Sequence, residues 1–341
     1  MISFPGLFHM VIILSSALLL SGYGCSPSNY RQGHSNGQNS PAFDPALEKQ
    51  ILSLNPENIT EEDVRKVLSR SPAPRIINLN GSIPLITMDS FSKFLIAMGY
   101  PEKSVRSPLD GAYSMSSYAS SEKLAGYVAW HYEKEGLMPI LIGHSQGGMI
   151  VIKVLHELDG AFHDRLQVWN PLTGENEGRH FITDPLTSNE HAVRGLKLGY
   201  ASAVATGKLM RFLLGQWSML GKLRHIPDTV EEFAGFHIRH DLIGSDLTGR
   251  NYSPLGSARV RNVMLPASYS HITIPLTENL AADPGSREWI NIYVPQTDAP
   301  LLPEGLSRDE SRNILFAAEQ WFYIKKHWCI ELQKLVRSRH R

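Results

Sequence analysis

"PILIGHSQGGMIVIKVL", residues 139–155, sets a small polar residue, Ser145, between an apolar run and a second apolar run of helical character. Gly143 and Gly147 stand two places to either side of it, and Gly148 follows. The pentapeptide Gly143-His144-Ser145-Gln146-Gly147 fits G-x-S-x-G, the pattern of a sharp strand-to-helix turn that carries an exposed serine. So tight a turn forces its central residue into a strained backbone conformation. Side chains two places before and after it would collide with neighbouring elements, which calls for glycine at both. The turn also sets the hydroxyl at a helix N-terminus, whose dipole favours developing negative charge. Residue frequencies alone would produce the pentapeptide in about one chain in ten of this length. The flanking strand-like and helix-like runs are what chance does not supply, so Ser145 is the candidate nucleophile.

The same alternation extends outward. "TEEDVRKVLSR" (60–70) opens with Thr60 three residues before Asp63, a capping-box helix start. "PRIINLNGS" (74–82) is a β-rich run closed by a glycine turn. "MDSFSKFLIAMG" (88–99) and "SSEKLAGYVAWHYEKEG" (120–136) space their apolar residues at helical intervals. "MPILIG" (138–143), "RLQVWNP" (165–171), "FAGFHI" (233–238) and "ARVRNVMLP" (258–266) read as strands, and 310–336 as a long amphipathic helix. Non-alternating apolar strands interleaved with helices predict an α/β fold, a mainly parallel sheet with helices on both faces. In such sheets the working residues lie on loops at the carboxyl ends of strands. From about 172 to 230 the alternation breaks. "LKLGYASAVATGKLMRFLLGQWSMLGKLR" (196–224) reads as one or two helices, either core helices or part of a helical cap inserted at about 172–230 into a domain spanning 46–341.

Composition is ordinary for a globular chain of 341 residues, with 42% hydrophobic and 19% charged residues and a formal net charge of zero. That balance argues against nucleic acid as a partner. Only Cys25 and Cys329 are present, so no disulfide framework is expected, and the histidines and cysteines show no zinc-ligand spacing. "VIILSSALLL" (11–20) is an apolar run of signal-peptide length, too short to span a bilayer. The Gly24-Cys25 step after it resembles the end of a bacterial lipoprotein signal, although "MISFPGLFHM" (1–10) lacks Lys and Arg and Gly22 stands where leucine is usual. The expectation is a signal over 1–24, a lipidated Cys25 or a simple cleavage, and a polar tether over 25–45 holding an exported protein at a membrane surface of the cell envelope.

A serine hydroxyl needs a base to take its proton, and the base needs an orienting carboxylate. Where the serine rides such a turn, acid and histidine follow it in that order, each after a later strand. His271, in "LPASYSHITIP" (265–275), follows the last strand, whereas His327 lies inside the terminal helix and His340 in the tail. "FHIRHDLIGSD" (236–246) offers Asp241 directly off its strand, with Asp246 as the alternative acid. The oxyanion would be met by the N–H of Gln146 and by a second N–H from the "NLNGS" loop, for which Ser82 is the candidate. His144, His131 and His156 read as packing or hydrogen-bonding residues.

"GHSQGG" (143–148), "HDLIGSD" (240–246) and "SHITIP" (270–275), in this order, make residues 74–336 resemble an α/β-hydrolase of the lipase/esterase side of that superfamily. The resemblance implies a Ser-His-Asp serine esterase without metal or organic cofactor, acting on an apolar acyl ester or lipid-like substrate. The superfamily also holds acyltransferases, thioesterases and non-catalytic lipid-binding members, so fold alone does not choose among them.

Overall fold

In the computed structural model, which describes residues 44–83, 85–207, 216–238, 241, 251–295 and 313–340, five strands form one sheet. They are β1 (Ile76–Leu79), β2 (Ile140–His144), β3 (Leu198–Val204), β4 (Val230–Ile238) and β5 (Arg259–Leu265). Their order across the sheet is the order in the chain, and every neighbouring pair is parallel. The expected α/β class with a parallel sheet is therefore present. The expected signal, Cys25, nearly all of the tether and Asp246 fall outside the described residues.

Because each strand is laid down beside its predecessor in one direction, right-handed crossovers carry the approach to every new strand over the same face. That face is packed by α4 (Ser121–Glu135), which leads into β2, and by α5 (Gln146–Leu158), which leaves it. Met219, Leu223 and Ile226 before β4, and Tyr252 before β5, join the same cluster. The opposite face is covered by helices that precede β1 or follow β5, together with the first helix of the β1-to-β2 connection. These are α1 (Pro45–Ser53), α2 (Glu61–Lys66) and α3 (Asp89–Ala97), with α6 (Glu278–Ala282), α7 (Pro284–Ile292) and α8 (Ile314–Arg339) from the C-terminal end. Thr60 closes the expected capping box with Asp63. With both faces covered, β2 and β3 are buried at every residue, which is why their sequences carry no polar alternation.

α8 lies against the sheet with Trp321 and Trp328 completely buried. Its buried polar residues have partners. Glu232 of β4 accepts Lys326 Nζ at 2.8 Å and His327 Nε2 at 2.7 Å, and Arg259 Nε of β5 at 2.8 Å. Cys329 is buried on this helix, and burial pushes its thiol up to about 12, as fits an inert packing residue.

Two expectations are overturned. The stretch 198–204 is not helix but β3, the central strand of the sheet, and the other described residues of 196–224 add only a single 3₁₀ turn at Trp217–Met219. Residues 208–215, the middle of the expected cap helices, fall outside the described residues. The run 165–171 is not a strand of the main sheet either. Only Trp169–Asn170 is extended, in a two-residue antiparallel pair with Glu175–Asn176. A second small hairpin pairs Phe181–Thr183 with Glu190–Ala192. Between 172 and 230 the described residues form these hairpins, β3, the 3₁₀ turn and the start of β4.

Candidate active site

Ser145 sits between the last residue of β2 and the first of α5, with φ 54° and ψ −116°. A positive φ is rare for a residue with a Cβ and persists only where the surroundings hold it. Here the Ser145 N–H donates to the Val204 carbonyl of β3 at 2.8 Å. The neighbouring glycines are steric requirements. A Cβ on Gly143 would lie 2.3 Å from the Gly147 carbonyl group, and one on Gly147 would lie 2.3 Å from the Leu79 carbonyl oxygen. One on Gly148 would lie 2.1 Å from Thr206 Oγ1.

The structure brings Ser145, Asp241 and His271 together. The Ser145 hydroxyl is 2.9 Å from His271 Nε2, and His271 Nδ1 is 2.7 Å from Asp241 Oδ2. A carboxylate only accepts, so Nδ1 carries the proton that it donates to Asp241, and Nε2 is left to accept from the serine. The three come from far-apart segments: the nucleophile follows β2, the acid follows β4 and the base follows β5, all at carboxyl ends of strands. All three are more than nine-tenths buried, at 6% exposure for Ser145 and His271 and 7% for Asp241. Bulk water therefore screens the charged contact little.

His144 belongs to this cluster. Its Nε2–H donates to the backbone carbonyl of His271 at 2.8 Å, and the two rings lie 5.1 Å apart, centroid to centroid. Burial, and then the charge that His271 can carry, hold His144 down at about 3, so it is neutral at ordinary pH. Its Nδ1 is buried without a partner among the described residues. The loop bearing His271 is also tied from the C-terminal side. Asn313, just before α8, donates its side-chain amide to the carbonyls of Thr273 at 2.7 Å and Leu276 at 3.0 Å. The Tyr269 hydroxyl accepts the Leu315 N–H at 2.9 Å.

The second expected oxyanion donor lies beside the nucleophile. Gly81, Ser82, Ile83 and Ile86 line a cavity of about 20 Å³ with His144, Ser145 and His271. A Cβ on Gly81 would sit 3.1 Å from His144 Nδ1 and 3.4 Å from Ser145 Cβ, so the absence of a side chain lets this loop approach. Gln146 opens α5, where the first N–H groups have no partner within the helix. A larger cavity of about 360 Å³ lies beside the outer strand β1, and none of Ser145, Asp241 and His271 lines it. Among the described residues no cluster of His, Cys, Asp and Glu is arranged to hold a metal ion.

Sequence reasoning placed the expected nucleophile, base and first-choice acid, but it missed how His144 and Asn313 hold the base. Adjacency to Ser145 was the one available signal for His144, and adjacency does not say which way a side chain turns. His131 and His156 are buried helix residues as expected, bonded to Glu135 and to the carbonyls of Lys222 and His225. The chain matches no known family model, no curated protein and no solved structure.

Proposed function

We propose that this chain is a serine hydrolase of the α/β-hydrolase fold that cleaves carboxylic esters through an acyl-enzyme. The observation that carries the reading is the unbroken relay from the Ser145 hydroxyl through His271 to Asp241, with contacts of 2.9 and 2.7 Å. The fold reading is supported by the parallel sheet and by the succession of nucleophile, acid and base after β2, β4 and β5.

In this mechanism Ser145 Oγ attacks the ester carbonyl while its proton passes to His271 Nε2. Asp241 holds the imidazole in the required tautomer and stabilises its cationic form. The N–H groups of Gln146 and Ser82 receive the oxyanion, where preorganised donors act without reorganisation. Collapse breaks the bond to the alkoxy group, which leaves as an alcohol with the proton from Nε2. Water then repeats the sequence on the acyl-enzyme, releasing the acid and restoring the serine. An apolar acyl group is favoured by the residues beside these loops. Ile83 lines the cavity at Ser145 and is exposed, as are Ile272 and Leu276 just after His271.

A fluorophosphonate probe and a series of p-nitrophenyl esters test the reading. The intact protein should be labelled and should hydrolyse esters, and Ser145→Ala should lose both. Equal labelling of that variant, or no labelling of the intact protein, would point instead to a non-catalytic binder.

A further inference from the structure

The two N–H groups assigned to the oxyanion lie on Ser82, after β1, and Gln146, after β2, and hydrolysis of the kind proposed above needs their directions set together. One residue bonds to both segments. Ser117, 1% exposed, donates its hydroxyl to the Gly81 carbonyl at 3.0 Å. The Ser117 carbonyl in turn accepts Nε2 of Gln146 at 3.4 Å.

The contact with Gly81 has a directional consequence. The Gly81 carbonyl and the Ser82 N–H belong to one planar peptide group, and in a trans peptide they point in opposite directions. A hydroxyl that holds the carbonyl from one side therefore aims the N–H towards the other. Neighbours of Ser117 fix the flanking peptides. The Tyr118 hydroxyl donates to the Ser82 carbonyl at 3.2 Å. The Met115 carbonyl accepts the Asn80 N–H at 2.9 Å, and the Met115 N–H donates to the Asn78 carbonyl at 2.8 Å. Met115, Ser117 and Tyr118 thus hold peptide groups at the end of β1 and in the loop that follows it.

We propose that Ser117 is the positioning residue of the oxyanion site, its hydroxyl aiming the Ser82 N–H and its carbonyl anchoring Gln146. It does not touch substrate. The inference rests on the proposed hydrolase function and adds to it a residue with no place in the motif.

The test compares Ser117→Ala, Ser117→Thr and Tyr118→Phe with the intact protein, with rates expressed per site labelled by the fluorophosphonate so that loss of folded protein cancels. Ser117→Ala should lower kcat for p-nitrophenyl acetate about 10- to 100-fold and leave KM within about twofold, because a misaimed donor costs the transition state and not the ground state. Affinity for an alkyl boronic acid, which becomes tetrahedral on the serine, should fall by a similar factor. Ser117→Thr keeps the hydroxyl and should recover most of the rate. Tyr118→Phe, at a side chain 63% exposed that poses little risk to folding, should lower kcat a fewfold with the same unchanged KM. An active intact protein matched by Ser117→Ala in kcat and boronate affinity would overturn the positioning role alone. An intact protein that neither labels nor hydrolyses esters would end both this inference and the function beneath it.

Discussion

His144 donates its Nε2–H to the main-chain carbonyl of His271 at 2.8 Å, so the residue just before the candidate nucleophile holds the backbone of the candidate base. Strand β2 and the loop after β5 are thereby joined beside the relay, although three strands of the sheet separate their positions in the chain order.

Removing that donor should loosen the base. His144→Leu leaves a buried carbonyl without its partner and is expected to cost about 1–3 kcal/mol of stability. Displacement of the imidazole should lower kcat about tenfold. His144→Gln keeps an N–H that can donate and should recover most of both losses. Urea denaturation and ester kinetics on the two variants check this, and equal behaviour of Leu and Gln would contradict it.

The same residue sets a pH dependence. Folded His144 is held at about 3 against an ordinary 6.5, so between those values the unfolded chain binds a proton that the folded chain refuses. Its contribution to stability is complete above about 6.5 and is lost as pH falls towards 3, by up to about 1.4 kcal/mol per pH unit. The melting temperature of His144→Gln should therefore fall less steeply than that of the intact protein across this window. Parallel curves would show that His144 does not titrate in this way.

Asp241 accepts from His271 Nδ1 at 2.7 Å, and an amide in its place would favour the wrong tautomer. Asp241→Asn is expected to lower kcat by a factor on the order of 10³–10⁴ while the protein stays folded. Asp246→Asn should leave the rate within about twofold. The reverse ranking, read from ester kinetics and circular dichroism, would move the acid to Asp246.

Gly147 is held against the main chain of the loop after β1. Its added Cβ would lie 2.3 Å from the Leu79 carbonyl oxygen and 2.6 Å from that of Asn80, neither of which is a side chain able to swing away. Gly147→Ala should cost about 3 kcal/mol through overpacking and should displace the loop after β1, which carries the candidate oxyanion donor. Gly178, with open space around its Cβ position, is strained only by its φ of 68°, so Gly178→Ala should cost less, about 1 kcal/mol, and leave ester kinetics unchanged. Denaturation midpoints of the pair measure the difference.

The turn around Ser145 was legible because its steric demands are local. A strained residue at the end of a strand needs glycines at fixed offsets, and those offsets are visible in one dimension. The helices with clear apolar spacing and the strands β1, β2, β4 and β5 were legible for the same reason. β3 was not. Gly199 is small because His327 of α8 presses on it, with Nδ1 2.8 Å from where a Cβ would be. From the other face, Gly148 of α5 comes within 3.0 Å, measured from its would-be Cβ to Ala203 Cβ. A strand squeezed between two helices takes small residues where they touch it, and by periodicity its buried run cannot be told from a buried helix.

From sequence alone came the strand-to-helix turn, the α/β class, and the order in which serine, carboxylate and imidazole occur along the chain. Those follow from backbone sterics and from the burial of short segments, which act between near neighbours. The tertiary structure decided that Asp241 meets His271, that 198–204 is the sheet's central strand, and that His144 and Ser117 bond to the loops beside Ser145. Each of these is a contact between residues far apart in the chain, and a hydrogen bond across such a distance imposes no spacing or periodicity on the sequence that encodes it.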